Sequence, residues 1–79
     1  MRFTIYSKEG CPYCIKIKQV MEMANLDHVV YTLGTEFDRD SFYAEFGHGS
    51  TFPQVILNDQ VHLGGCTDTV KYLTENNIV

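Results

Sequence analysis

The sequence predicts an α/β fold with the element order β-α-β-α-β-β-α, a four-stranded mixed sheet flanked by three helices. Three observations carry this reading. An alternating segment near the start runs through a turn into a stretch with helical spacing, and a β-branched run follows it. Two short apolar runs around a polar turn then precede a last amphipathic stretch.

Taken in order, Arg2 to Tyr6 reads as a strand with Phe3 and Ile5 on one face, entering the turn-forming stretch Ser7 to Gly10. Pro12 suits the first position of a helix, where its missing N–H would have had no partner. Cys14, Ile17, Val20, Met21 and Ala24 recur at helical spacing, with Lys16, Lys18, Gln19 and Glu22 on the other face. Asp27 to Leu33 holds the run Val29-Val30-Tyr31-Thr32, a second strand parallel to the first across the helical crossover. A second helix is expected over Asp38 to Phe46, with Phe42 and Phe46 one turn apart and Gly47 as a stop. Gln54 to Leu57 and Val61 to Leu63 flank Asn58-Asp59-Gln60 and predict an antiparallel hairpin. Cys66 or Thr67 opens the last helix, Val70 and Leu73 face inward, and Asn76-Asn77 mark its end. No internal repeat, low-complexity tract or linker interrupts the pattern, so residues 1–79 are expected to form one domain.

The composition narrows the function classes. Hydrophobic residues make up 44% and aromatic residues 13% of 79 positions, enough for one compact core and against disorder. A formal net charge of −4 opposes a general nucleic-acid role, because phosphates would be repelled. No run approaches the roughly 20 apolar residues of a membrane span, and the start lacks a secretory signal pattern. A cytoplasmic location is therefore expected; the chain is also expected to be a monomer. Three cysteines cannot make the even-numbered disulfide framework of a stapled secreted domain, so they read better as chemistry. Four of the six basic residues, Arg2, Lys8, Lys16 and Lys18, fall near the Cys pair in sequence, and a local positive field around Cys11 is expected.

Cys11-Pro12-Tyr13-Cys14 lies at a strand–helix junction inside a βαβ unit, the context of a C-x-x-C redox motif. A sulfur at a helix N-terminus faces unpaired N–H groups and the positive end of the helix dipole, which favour thiolate over thiol. Cys11 should thus be more acidic than a free cysteine, whose pKa is about 8.5, and Lys8 can add a cation nearby. Cys14 lies one turn further in and should be more buried. That asymmetry makes Cys11 the attacking sulfur and Cys14 the resolving one.

Tyr6-Ser7-Lys8-Glu9-Gly10-Cys11-Pro12-Tyr13-Cys14, then Thr51-Phe52-Pro53-Gln54, then Gly64-Gly65-Cys66-Thr67-Asp68 resembles the glutaredoxin signature in order and spacing. The likeness covers essentially the whole chain and its short dithiol type. It implies a thioredoxin fold and glutathione-dependent reduction of protein disulfides and glutathione mixed disulfides. Glutathione would then be reductant and co-substrate, with no metal, and disulfide-containing or glutathionylated proteins, ribonucleotide reductase among them, would be the partners.

The same resemblance implies a glutathione site. Pro53 would be a cis-proline opposite Cys11, and the backbone of Phe52 would pair with the cysteinyl part of glutathione like an added strand. Lys8, with Arg39, would meet the glycine carboxylate. Thr67 and Asp68, at the start of the last helix, would hold the γ-glutamyl end. Tyr13, Thr51, Gly65 and Cys66 complete the expected lining. Phe52 stands where the family usually has Val, which makes the wall near the sulfurs bulkier.

Alternatives follow from the same residues. C-x-x-C is also half of a zinc site, which would require Cys66 and one of His28, His48 or His62, yet no second C-x-x-C or H-x₃₋₅-H is present. Some glutaredoxins carry a glutathione-ligated [2Fe-2S] cluster, but Pro12 resembles the redox-active members instead. A redoxin served by thioredoxin reductase is the nearest rival in activity. Cys66 reads as a small buried residue closing the Gly-Gly turn, Met21 as core filling and Met23 as helix surface.

Overall fold

The computed structural model describes all 79 residues, Met1 to Val79. Its elements are β1 (Phe3–Ser7), α1 (Pro12–Met23), β2 (His28–Thr32), α2 (Arg39–Phe46), β3 (Gln54–Leu57), β4 (Val61–Gly64) and α3 (Cys66–Glu75). The order is the expected one. The four strands form one sheet in the order β2-β1-β3-β4. β1 runs parallel to β2, from Phe3 opposite His28 to Ser7 opposite Thr32, and antiparallel to β3, from Phe3 opposite Leu57 to Tyr6 opposite Gln54. β3 and β4 form the antiparallel hairpin, with a register shift between Val55 and Ile56.

β1 begins and ends one residue later than the sequence pattern suggests. Backbone pairing decides this: Ser7 carbonyl accepts the Leu33 N–H at 2.9 Å and extends the strand, whereas the Arg2 N–H is diverted to Asn58 Oδ1 at 2.9 Å. The hairpin turn explains that diversion. Asn58 and Asp59 both sit in the left-handed region, at φ of 55° and 59°, a backbone that these two residue types tolerate and that two-stranded turns require.

α1 and α2 each start at a side-chain cap, and α3 starts behind Gly65 without one. Cys11 is extended, at φ −104°, and caps α1, with Pro12 at the first helical position. Asp38 caps α2 by accepting the Ser41 N–H at 2.8 Å, and that hydrogen bond holds its carboxyl below the usual range. Gly47 ends α2 at φ +100°, its N–H donating to Tyr43 carbonyl at 2.8 Å.

The alternation in β1 divides the side chains between two layers. Phe3 and Ile5 join Ile17 and Met21 of α1, Val55 and Leu57 of β3, and Cys66 and Leu73 of α3 in one buried cluster. Tyr6 points the other way, into edge-on contacts with Tyr31, Phe37 and Phe46 at ring separations of 5.6, 5.2 and 5.1 Å. The sheet is thus sandwiched between α1 with α3 on one face and α2 on the other. Met21 is fully buried and Met23 almost fully exposed, as their places in the helical pattern require.

Leu73 is wholly enclosed where α3 meets the sheet. Leu73→Ala should lower unfolding free energy by about 2–5 kcal/mol, the range for a buried Leu that leaves a cavity. Urea unfolding followed by far-UV circular dichroism measures it, and a change under about 1 kcal/mol would mean that the α3–sheet contact is not part of the core.

Candidate active site

The site is assembled where β1 gives way to α1 and β3 begins beside it. Gly10 turns the chain at φ +68° and delivers Cys11 to the N-terminus of α1. Cys11 and Cys14 are joined in a disulfide, their Cα atoms 5.2 Å apart. The Cys14 N–H donates to Cys11 Sγ at 3.1 Å. A disulfide sulfur is a weak acceptor, but after reduction the same N–H faces a thiolate, where the bond becomes charge-assisted and roughly twice as strong. Cys14 is 0% exposed and Cys11 6%, so the expected order holds while the outer sulfur is itself recessed. A reaction partner must reach it along a groove.

From the other side the chain presents the Phe52–Pro53 segment, whose peptide bond is cis. Phe52 carbonyl lies 3.8 Å from Cys11 Sγ. The adjacency is a product of sheet order, since Tyr6, the penultimate residue of β1, pairs with Gln54 at the start of β3.

Two grooves meet at this point. One of about 540 Å³ contains Lys8, Cys11 and Arg39, and one of about 570 Å³ contains Pro53, Gly65, Cys66, Thr67 and Asp68. Tyr13, Thr51 and Phe52 line both. Every residue expected at the glutathione site, together with Cys11, therefore borders one groove or the other, and Cys14 is buried behind them. The charges are segregated: two cations beside Cys11, and a carboxylate beside the first turn of α3, whose unpaired N–H groups favour an anion. Arg2 does not join the field expected around Cys11. It lies just before β1, remote from the sulfur because a strand carries its two ends apart by about 3.3 Å per residue, and its guanidinium pairs with Asp27 at 3.9 Å.

Several lining residues were not among those expected from the sequence to bind glutathione. Tyr43 and Ser50 border the Cys11 groove, and Gln54, His62 and Gly64 the other. Gln54 is buried, its Nε2 donating to Thr51 carbonyl at 2.8 Å and its Oε1 lying 2.6 Å from His62 Nε2, so it ties the Thr51 segment to the hairpin. Its signal in the sequence is a lone amide opening the apolar strand Gln54-Val55-Ile56-Leu57. Gly64, at φ +110°, has a different role: a Cβ there would come within 2.6 Å of Asp68 Oδ2. Only glycine lets that carboxylate sit against the backbone.

The wall made by Phe52 is fixed by aromatic packing. Its ring is stacked on Phe42 at 4.1 Å with planes 10° apart, and lies near-parallel to Phe37 at 6.2 Å. The Lys8 ammonium lies over the Phe52 ring, 5.3 Å from its centre.

Cys66 begins α3 and is buried. Burial pushes its thiol pKa up, and the opposing pull of Lys16 is the smaller influence, so this sulfur stays protonated near neutral pH. That is the inert behaviour expected of a packing cysteine. In reduced protein treated with limiting iodoacetamide near neutral pH, peptide mass spectrometry should find Cys11 modified first and Cys66 last. Equal rates at the two sulfurs would contradict the assigned environments.

Comparison with known proteins agrees with this geometry. The glutaredoxin family model matches residues 3–62. Glutaredoxin 1 of Rickettsia prowazekii is 35% identical over 76 residues, covering 94% of this chain and 79% of that protein. Glutaredoxin 1 of Rickettsia typhi is 33% identical over 66 residues, covering 81% of this chain and only 62% of the relative. Among solved structures, glutaredoxin 1 from Francisella tularensis, crystallised with cacodylate, superposes with a TM-score of 0.78 at 30% identity over 98% of this chain and 95% of its own. With the family model, the relatives and the C-x-x-C disulfide in agreement, this chain belongs to the glutaredoxin family, and its thioredoxin fold carries a thiol–disulfide oxidoreductase site at Cys11 and Cys14.

Proposed function

We propose that the protein reduces protein disulfides and glutathione mixed disulfides with glutathione as its electron donor. The observation that supports this most is the seat of Cys11 at the N-terminus of α1, beside grooves that are cationic at Lys8 and Arg39 and acidic at Asp68. Glutathione has the complementary layout, with a glycine carboxylate at one end, an α-amino acid at the other and a thiol between them. Its glycine end suits the cations. Its γ-glutamyl ammonium suits Asp68, and the neighbouring carboxylate suits the first N–H groups of α3.

The chemistry is two thiol–disulfide exchanges in each direction. Cys11 thiolate attacks a protein disulfide, forms a mixed disulfide and releases one substrate thiolate, which takes up a proton. Cys14 loses its proton and attacks Cys11 Sγ, releasing the second substrate thiol and closing the internal disulfide. One glutathione thiolate then opens that disulfide at Cys11, and a second removes the bound glutathione as glutathione disulfide. The balance is two glutathiones oxidised for one substrate disulfide reduced. With a glutathionylated substrate Cys11 takes up the glutathione directly, and Cys14 is not needed.

Turnover of both substrate types with glutathione as sole reductant tests this reading. Cys11→Ser should lower both activities by at least about a hundredfold, as loss of a covalent nucleophile requires. Cys14→Ser should abolish disulfide reduction and keep deglutathionylation. Full deglutathionylation by the Cys11 variant, or turnover with thioredoxin reductase and none with glutathione, would overturn the reading.

A further inference from the structure

Lys8 is exposed between β1 and the Glu9–Gly10 turn, and the ion pair in this chain is elsewhere, between Arg2 and Asp27. Its ammonium is nevertheless placed, 5.3 Å from the centre of the Phe52 ring and inside the groove that holds Cys11. That distance is within the range at which a ring face attracts a cation. The ring cannot turn away easily, because Phe42, itself buried, is stacked on it at 4.1 Å with planes 10° apart. A lysine stem otherwise samples many rotamers, and an anion that binds it must first order it.

We propose that the Phe52 side chain is a positioning residue: its ring holds the Lys8 ammonium over the groove beside Cys11, ready for the glycine carboxylate of glutathione. The inference rests on the glutathione reading above and adds the selectivity of that site. A thiol with a free carboxylate at this end gains from the ordered cation. One whose carboxylate is masked gains nothing. The role belongs to the ring and is separate from the Phe52 backbone, which would pair with the peptide part of the ligand in any case.

The test compares glutathione with its glycine monoethyl ester as reductants of a glutathione mixed disulfide, in wild type, Phe52→Leu and Phe52→Tyr. The ratio of the ester KM to the glutathione KM should fall about two- to fivefold in Phe52→Leu, the range for an exposed cation–π contact, and stay near wild type in Phe52→Tyr. An unchanged ratio in Phe52→Leu, or an equal fall in Phe52→Tyr, overturns the proposal while leaving glutathione dependence intact. A wild type that uses neither thiol overturns the parent reading and this inference together. A second measurement needs no variant. In the wild-type protein the Lys8 ε-methylene protons should be shifted upfield of those of Lys71 by the ring current, and coincident shifts would overturn the seat directly.

Discussion

The bond from the Cys14 N–H to Cys11 Sγ is the contact on which the rest of this structure converges. It exists because Cys11 is the capping residue of α1, extended in its backbone and followed by a proline that has no N–H to compete. At that place the first free N–H groups of the helix point at the sulfur, so the charge that forms on reduction is met by donors already in position. A serine or aspartate would satisfy the same donors and stabilise the helix equally well. The cysteine caps the helix and also places a nucleophile where its ionised form is favoured.

Sheet order turns this capped sulfur into a site. Placing β1 and β3 side by side in the centre sets the segment before β3 against the helix tip, which is how Phe52 carbonyl comes within 3.8 Å of Cys11 Sγ. The two layers then share the work. The side facing α1 and α3, built on Phe3, Ile5, Ile17, Met21 and Leu73, anchors both helices, and their N-termini face the same rim. The aromatic side, with Phe42 and Phe37 beneath Phe52, stiffens the wall between the two grooves. Gly64 and Gln54 finish the rim by admitting the Asp68 carboxylate and fastening the Thr51 carbonyl.

Much of this was legible in the residues. Alternation in Phe3 to Ile5, Pro12 directly after Cys11, Gly47 behind Phe46, and the Asn58-Asp59 turn are local signals, and local chemistry settled each of them. The C-x-x-C at a strand–helix junction marked the sulfurs, and family resemblance located the Pro53 and Asp68 segments. What stayed hidden depends on contacts between distant segments. Lys8 and Phe52 meet only because the sheet brings their segments together, and nothing near either residue announces the pairing. Gln54 and His62 are joined across the hairpin with the same silence. Arg2 was misplaced for the converse reason: nearness in sequence to Cys11 says little when a strand separates the two.

The central claim is that the helix terminus ionises Cys11 near neutrality. Thiolate absorbance near 240 nm, followed against pH in reduced protein carrying Cys14→Ser and Cys66→Ser, reads that one sulfur alone and keeps the N–H of residue 14. The account predicts a midpoint clearly below the value of about 8.5 for a free cysteine. A midpoint at or above that value would contradict it.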